Sequence, residues 1–180
     1  MTQPFFMLRR YFSLLLALTA ALVGVQIPNY VTQYQQRIDA QYTEAMIYYR
    51  EYQAIADTYL NGDMQALLAA HENSDNDIFK AEAVPLRTLI DRVELLSYEQ
   101  QQLQRALPVQ VWFIATQANP QIRQDTWRMY SYNVPMTTTA VVTALVSAVL
   151  TLLLWDACWG LLGWGWRRVR GTHKGRRVTP

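Results

Sequence analysis

The chain has 180 residues, a formal net charge of +2 at pH 7, 51% hydrophobic residues and one cysteine, Cys158, which rules out an intrachain disulfide and any multi-cysteine metal site. The near-neutral total conceals a segregation: residues 1–27 carry two basic residues and no acid, 28–133 carry eight basic and thirteen acidic, and the remainder carries six basic and one acid, Asp156. Basic residues beside apolar runs are explained first by retention on the cytoplasmic side of a membrane and contact with anionic lipid, so a nucleic-acid partner is not expected.

After a short head, Arg9 and Arg10 precede an uncharged segment from Tyr11 to Ile27, seventeen residues that Phe5 to Leu8 can extend. Thr19-Ala20-Ala21 imitates the end of a cleaved signal peptide. The apolar character continues through Leu22, Val23, Val25 and Ile27 without a clean small-residue site, so the segment reads as an uncleaved membrane anchor. Ser13, Ala17 and Ala21 recur at four-residue spacing, as do Ala20 and Gly24, which allows close helix packing or a homo-oligomer.

Beyond Pro28, with Asn29 as a candidate cap, the stretch Val31 to Leu60 lacks Gly and Pro and predicts one long helix, or an extension of the first span across Pro28. Tyr34, Ile38, Ala45, Met46, Tyr49, Tyr52, Ile55 and Tyr59 recur at three- and four-residue intervals as its buried stripe. Tyr42, Tyr48, Tyr49, Tyr52 and Tyr59 cannot all point one way, so part of this set is a candidate surface for a partner. Asn61-Gly62-Asp63 ends the helix, and Asp63 is placed to cap a short one from Met64 to His71.

The polar turn His71 to Asp77 precedes a helix from Ile78 to Leu107, with Pro85 predicting a kink or restart near Val84 and Pro108 a stop. Asp75 and Asp77 read as caps and solvated acids, because the other ligands and the glycine of a calcium loop are missing. Leu89, Val93, Leu96, Leu103 and Leu107 make a nearly heptad stripe with Gln100 at the remaining core-facing position, as a register or rim residue. This helix is expected to lie antiparallel to Val31–Leu60. The uncharged segment Val109 to Ala118 then closes the bundle or rests at a lipid interface, and Asn119-Pro120 starts another short helix.

From Val134 to Trp166 the chain is apolar, with no charge between Pro135 and Trp155. About 20 such residues cross a hydrocarbon core of about 30 Å. Ala140, Ala144 and Ala148 repeat the small-residue spacing, and Cys158 reads as a small buried hydrophobe. Asp156 is the polar exception, with Arg9 or Arg10 as its expected partner. Arg167, Arg168 and Arg170 close the run.

These elements predict an all-α membrane protein in which two transmembrane helices flank a periplasmic helical hairpin or three- to four-helix bundle. The divisions are a head and first span over 1–27, a periplasmic domain over 28–133, a second span with its extensions over 134–166 and a basic cytoplasmic tail over 167–180. The basic ends place both termini in the cytoplasm. His71 and His173 have no metal-binding or nucleophilic companions, and there is no phosphate-binding glycine loop. No enzyme activity and no cofactor are therefore expected.

The pattern Gly24-Val25-Gln26-Ile27-Pro28 followed by Gln33-Tyr34-Gln35-Gln36-Arg37 resembles a family of small bacterial inner-membrane proteins known only as a conserved domain of unknown function. The resemblance implies an inner-membrane location and brings no catalytic residues. The expected role is a subunit or assembly factor that binds another envelope protein, with membrane lipids and a homo-oligomer or hetero-complex as partners. The alternative is a sensor-like module acting through a partner.

Overall fold

The computed structural model describes residues 3–133 and 136–172, and all of the described secondary structure is helical. Val134, Pro135 and His173, and the side chains of Trp166, Arg167, Arg168 and Arg170, lie outside what is described. The helices are α1 Gln3–Tyr59, α2 Met64–Glu72, α3 Asp77–Gln102, α4 Leu107–Thr116, α5 Pro120–Arg128 and α6 Thr138–Thr172. The chain divides into one unit of 1–29 with 132–180 and a second of 30–131.

Helix α1 runs through Pro28, so Asn29 is an interior residue and not a cap. Proline cannot donate to the carbonyl four residues back, which here belongs to Gly24, yet the helix continues. At the far end, Asn61 (φ 52°) and Gly62 (φ 83°) take left-handed conformations that turn the chain out of the helix. The Gly62 amide donates back to the Ala56 carbonyl at 3.0 Å, and Gln53 Nε2 donates to the Gly62 carbonyl at 2.9 Å. Asp63 then caps α2 by accepting from the amides of Gln65 and Ala66.

In the second unit, five helical segments rather than three or four build two core clusters. One joins Val31, Tyr34, Ile38 and Ala45 of α1 to Leu96 of α3 and to Leu103, which follows that helix, with Phe113, Ile114, Ala118 and Ile122 closing it. The other joins Ala56 to Met64, Leu67 and Leu68 of α2 and to Ala83, Leu86 and Ile90 of α3. Early α1 residues meet late α3 residues and late meet early, so the two helices are antiparallel. The buried stripe of α1 ends on Ala56, whereas Ile55 and Tyr59 are exposed. At about 100° per residue Ile55 is turned about 60–100° away from Tyr34 and Ile38, whereas Tyr59 returns close to the Tyr34 direction and is exposed at the last residue of the helix.

Helix α3 begins under Asn76, whose side chain accepts from the Ile78 amide; Asp77 occupies the first turn instead, where a negative charge favours the helix dipole. It does not restart near Val84, because Pro85 is exposed and water can reach the carbonyl it leaves. It also ends before Leu107. The Gln110 side-chain Nε2 donates to the Leu103 and Arg105 carbonyls at 2.6 and 2.7 Å, and Pro108 opens α4 in the first turn, where its missing N–H does no harm. Asn119 caps α5 by accepting from the amides of Gln121 and Ile122.

In the first unit, α6 starts four residues later than expected, where the Thr137 hydroxyl accepts from the Ala140 amide at 3.2 Å. Two helical stretches, Met7–Tyr59 and Thr138–Leu161, are long and apolar enough to cross a membrane.

Candidate functional site

In the first unit α1 and α6 meet along their small residues. Gly24 is buried, and a β-carbon added there would lie 2.8 Å from both the Ser147 β-carbon and the Thr143 carbonyl oxygen. The missing side chain is thus what lets the backbones approach. Ala140 is fully buried, while Ser13, Ala17, Ala20, Ala21, Ala144 and Ala148 are half-buried. The opposite faces expose Leu14, Leu15, Leu18 and Leu22 of α1 and Leu145, Val149, Leu153 and Leu154 of α6.

Polar contacts stand at both ends of this pair. Arg9 Nη2 donates to Asp156 Oδ1 at 2.8 Å, and the Arg9 guanidinium carbon lies 5.6 Å from the Trp159 ring centre. Arg10 is exposed and is not the partner; its carbonyl accepts from Ser13 Oγ. Cys158 is exposed rather than buried. At the other end Asn29 Nδ2 donates to the Asn133 carbonyl at 3.0 Å and to Gln26 Oε1 at 3.3 Å. Arg9 and Asn29 are 20 residues apart on one helix, which at about 1.5 Å per residue is about 30 Å, the thickness of a hydrocarbon core.

The second unit contains a buried polar node that the sequence pattern did not reveal. Glu99 is 3% exposed and Tyr34 is fully buried. One Glu99 carboxylate oxygen accepts from the Tyr34 hydroxyl; the other accepts from the Asn119 backbone amide at 2.7 Å. This ties α1, α3 and the start of α5 together while satisfying both oxygens. Burial first, then donation to Glu99 and its negative charge, push the Tyr34 hydroxyl far above the usual tyrosine range; Arg123 opposes weakly. Burial also raises Tyr30, against the pull of Arg123 and Arg37. The available signal for Glu99 was its place three residues after Leu96 and four before Leu103, both buried.

Gln100, read as a register or rim residue, is half-buried, and its Nε2 donates to Asp39 Oδ1 of α1 at 2.9 Å. The tyrosine set divides. Tyr42 packs against the first core cluster and Tyr49 and Tyr52 against the second, while Tyr48 and Tyr59 are 56% and 78% exposed. His71 belongs to the last turn of α2, and its Nδ1 lies 2.9 Å from the Leu67 carbonyl. Among the described residues, no group of three or more His, Cys, Asp or Glu is arranged to hold a metal.

These features define an all-helical protein with two candidate membrane-crossing helices and a separate helical unit. Residues 8–168 match the family model DUF2937, described as a protein of unknown function, and the chain belongs to that family. No curated protein and no solved structure matches it.

Proposed function

We propose that this protein is a non-enzymatic subunit or assembly factor of the bacterial inner membrane, crossing the bilayer twice and binding another envelope protein through its helical unit. The observation that carries the reading is the apolar α1/α6 pair with polar contacts at ends set about one hydrocarbon thickness apart. An aliphatic surface of this extent is suited to lipid and costly in water. The basic residues near both termini favour the cytoplasm for the ends and the periplasm for 28–133. Tyr48 and Tyr59 offer the contact for a partner, each combining apolar area with a hydroxyl.

The test is photo-crosslinking in the native membrane from a photoreactive amino acid placed at Tyr48 or Tyr59. Both positions are expected to give the same discrete adduct with one envelope protein, identified by mass spectrometry. Diffuse labelling, or no adduct at either position, counts against the partner-binding role. Topology is tested in a Cys158→Ser background by labelling Tyr59→Cys in intact cells with a thiol reagent that does not cross the inner membrane. Labelling only after cell disruption overturns the periplasmic placement.

A further inference from the structure

An aromatic cluster in the second unit is not used by the partner-binding reading. Tyr30 lies 5.9 Å from the Trp127 ring and 5.6 Å from the Tyr130 ring, while Trp127 and Tyr130 stack at 6.1 Å with planes 4° apart. Tyr30 packs against the first core cluster, but core packing does not explain the rest of the arrangement, because Trp127 is 65% exposed and its neighbour Met129 is 72% exposed. Tyr30 donates to the Arg123 carbonyl, and Arg37 Nη2 donates to Met129 Sδ at 3.1 Å, so the cluster is held in place.

Position and charge identify what covers it. Tyr30 follows Ile27, the last residue of the first apolar run, by three residues within the continuous α1, which is about 4.5 Å of helix rise. Trp127 and Tyr130 contact Tyr30. Tryptophan and tyrosine are favoured where an apolar ring body meets acyl chains and a polar edge meets headgroups. Two ion pairs, Arg9–Asp156 and Arg87–Glu72, and a His71–Glu82 contact at 3.8 Å form among the described residues, and none uses Arg37 or Arg128. Asp125 is the one acid on α5. Arg37, through Met129, thus brings a guanidinium group to the aromatic face, and the exposed Arg128 adds positive charge to this end of α5, as contact with lipid phosphate requires.

We propose that Tyr30, Trp127, Met129 and Tyr130, together with Arg37 and Arg128, form a docking surface for the phospholipid headgroup layer. The proposal rests on the membrane-spanning reading above. Its chemistry is ring insertion at the level of the glycerol and phosphate groups, with the two arginines on phosphate oxygens.

The test uses the full chain in phospholipid nanodiscs, with nitroxide-labelled lipids as fluorescence quenchers. Subtracting the emission of Trp127→Phe from wild type isolates Trp127, and Trp155→Phe isolates Trp155 in α6. Headgroup nitroxides are expected to remove most of the Trp127 emission, and acyl-chain nitroxides most of the Trp155 emission. Quenching of Trp155 without Trp127 overturns the docking surface and leaves the spanning reading standing; quenching of neither overturns both. Trp127 emission lost to aqueous iodide, or shielded from iodide and nitroxide alike by bound protein, also overturns it. A nitroxide side chain on Met129→Cys, in a Cys158→Ser background, gives a second readout. It should show slower relaxation by a water-soluble nickel complex in nanodiscs than in detergent, and equal relaxation overturns the proposal.

Discussion

Gly24 and Ser147 meet with no room for a methyl group between them, the nearest fixed obstacle being the Thr143 carbonyl oxygen, 2.8 Å from where a β-carbon would stand. A serine side chain can be shortened, but a backbone carbonyl cannot. Gly24→Ala is therefore expected to push α1 and α6 apart and destabilise the pair by about 1–3 kcal/mol, the range for overpacking. Adding Ser147→Gly should recover only part of the loss. Thermal unfolding of the single and double variants in one detergent measures both effects, and full recovery in the double variant would remove the carbonyl as the cause.

Arg9 and Asp156 make the second testable contact in the same unit, on side chains that are 39% and 68% exposed. In water such a pair contributes up to about 1 kcal/mol, and a surrounding of lower dielectric strengthens it. Asp156→Asn and Arg9→Gln should each lower stability, with the double variant no worse than the poorer single. A double-mutant cycle of melting in nanodiscs and in detergent measures the coupling, which should be larger in the bilayer. Strict additivity in both media would mean that the 2.8 Å contact contributes nothing.

The end of α3 supports a local prediction. Gln110 Nε2 is shared by the Leu103 and Arg105 carbonyls, which a terminated helix would otherwise leave to water. Gln110→Ala should cost about 1 kcal/mol of stability, and Gln110→Glu more, since a carboxylate cannot donate to either oxygen. Denaturant midpoints for the two variants decide the order; equal midpoints would dismiss the capping role.

What was legible in the sequence was mostly short-range. Asp63 and Asn119 announce helix starts because a side-chain oxygen needs only the amides two or three residues ahead. Asn61-Gly62 announces a stop for a similarly local reason. The prolines misled where burial decided the outcome: Pro85 is tolerated on an exposed face, and Pro108 opens a helix instead of closing one. The heptad frame through Leu89, Leu96 and Leu103 pointed Gln100 inward. In the structure the adjacent Glu99 is buried, because its two acceptors find donors on Tyr34 and Asn119 that are remote in sequence. Arg9 and Asp156 were legible as charges flanking apolar runs, but the choice of Arg9 over Arg10 depends on the helical face.

Tyr34 and Glu99 give the helical unit a dependence on alkaline pH whose sign follows from their contact. Burial, followed by donation to Glu99, raises the Tyr34 hydroxyl in the folded state above its ordinary value of 10.0. Stability from the protonated phenol is thus complete below pH 10 and declines as pH rises past that value towards the folded one. Tyr34→Phe removes this decline, but at neutral pH it leaves a buried Glu99 oxygen without its donor, costing about 1–3 kcal/mol. Wild type should therefore exceed the variant in stability at neutral pH, and the gap should narrow as pH passes 10. Tyr30, raised mainly by burial, adds a slope of its own in both proteins, and its charge is a lesser cause of the rise at Tyr34. Glu99→Gln keeps an acceptor for either donor and should be milder than Glu99→Leu, which leaves both the Tyr34 hydroxyl and the Asn119 amide unpaired. Melting of the full chain in nanodiscs across the alkaline range measures the gap, and a constant difference between wild type and Tyr34→Phe would contradict the assignment.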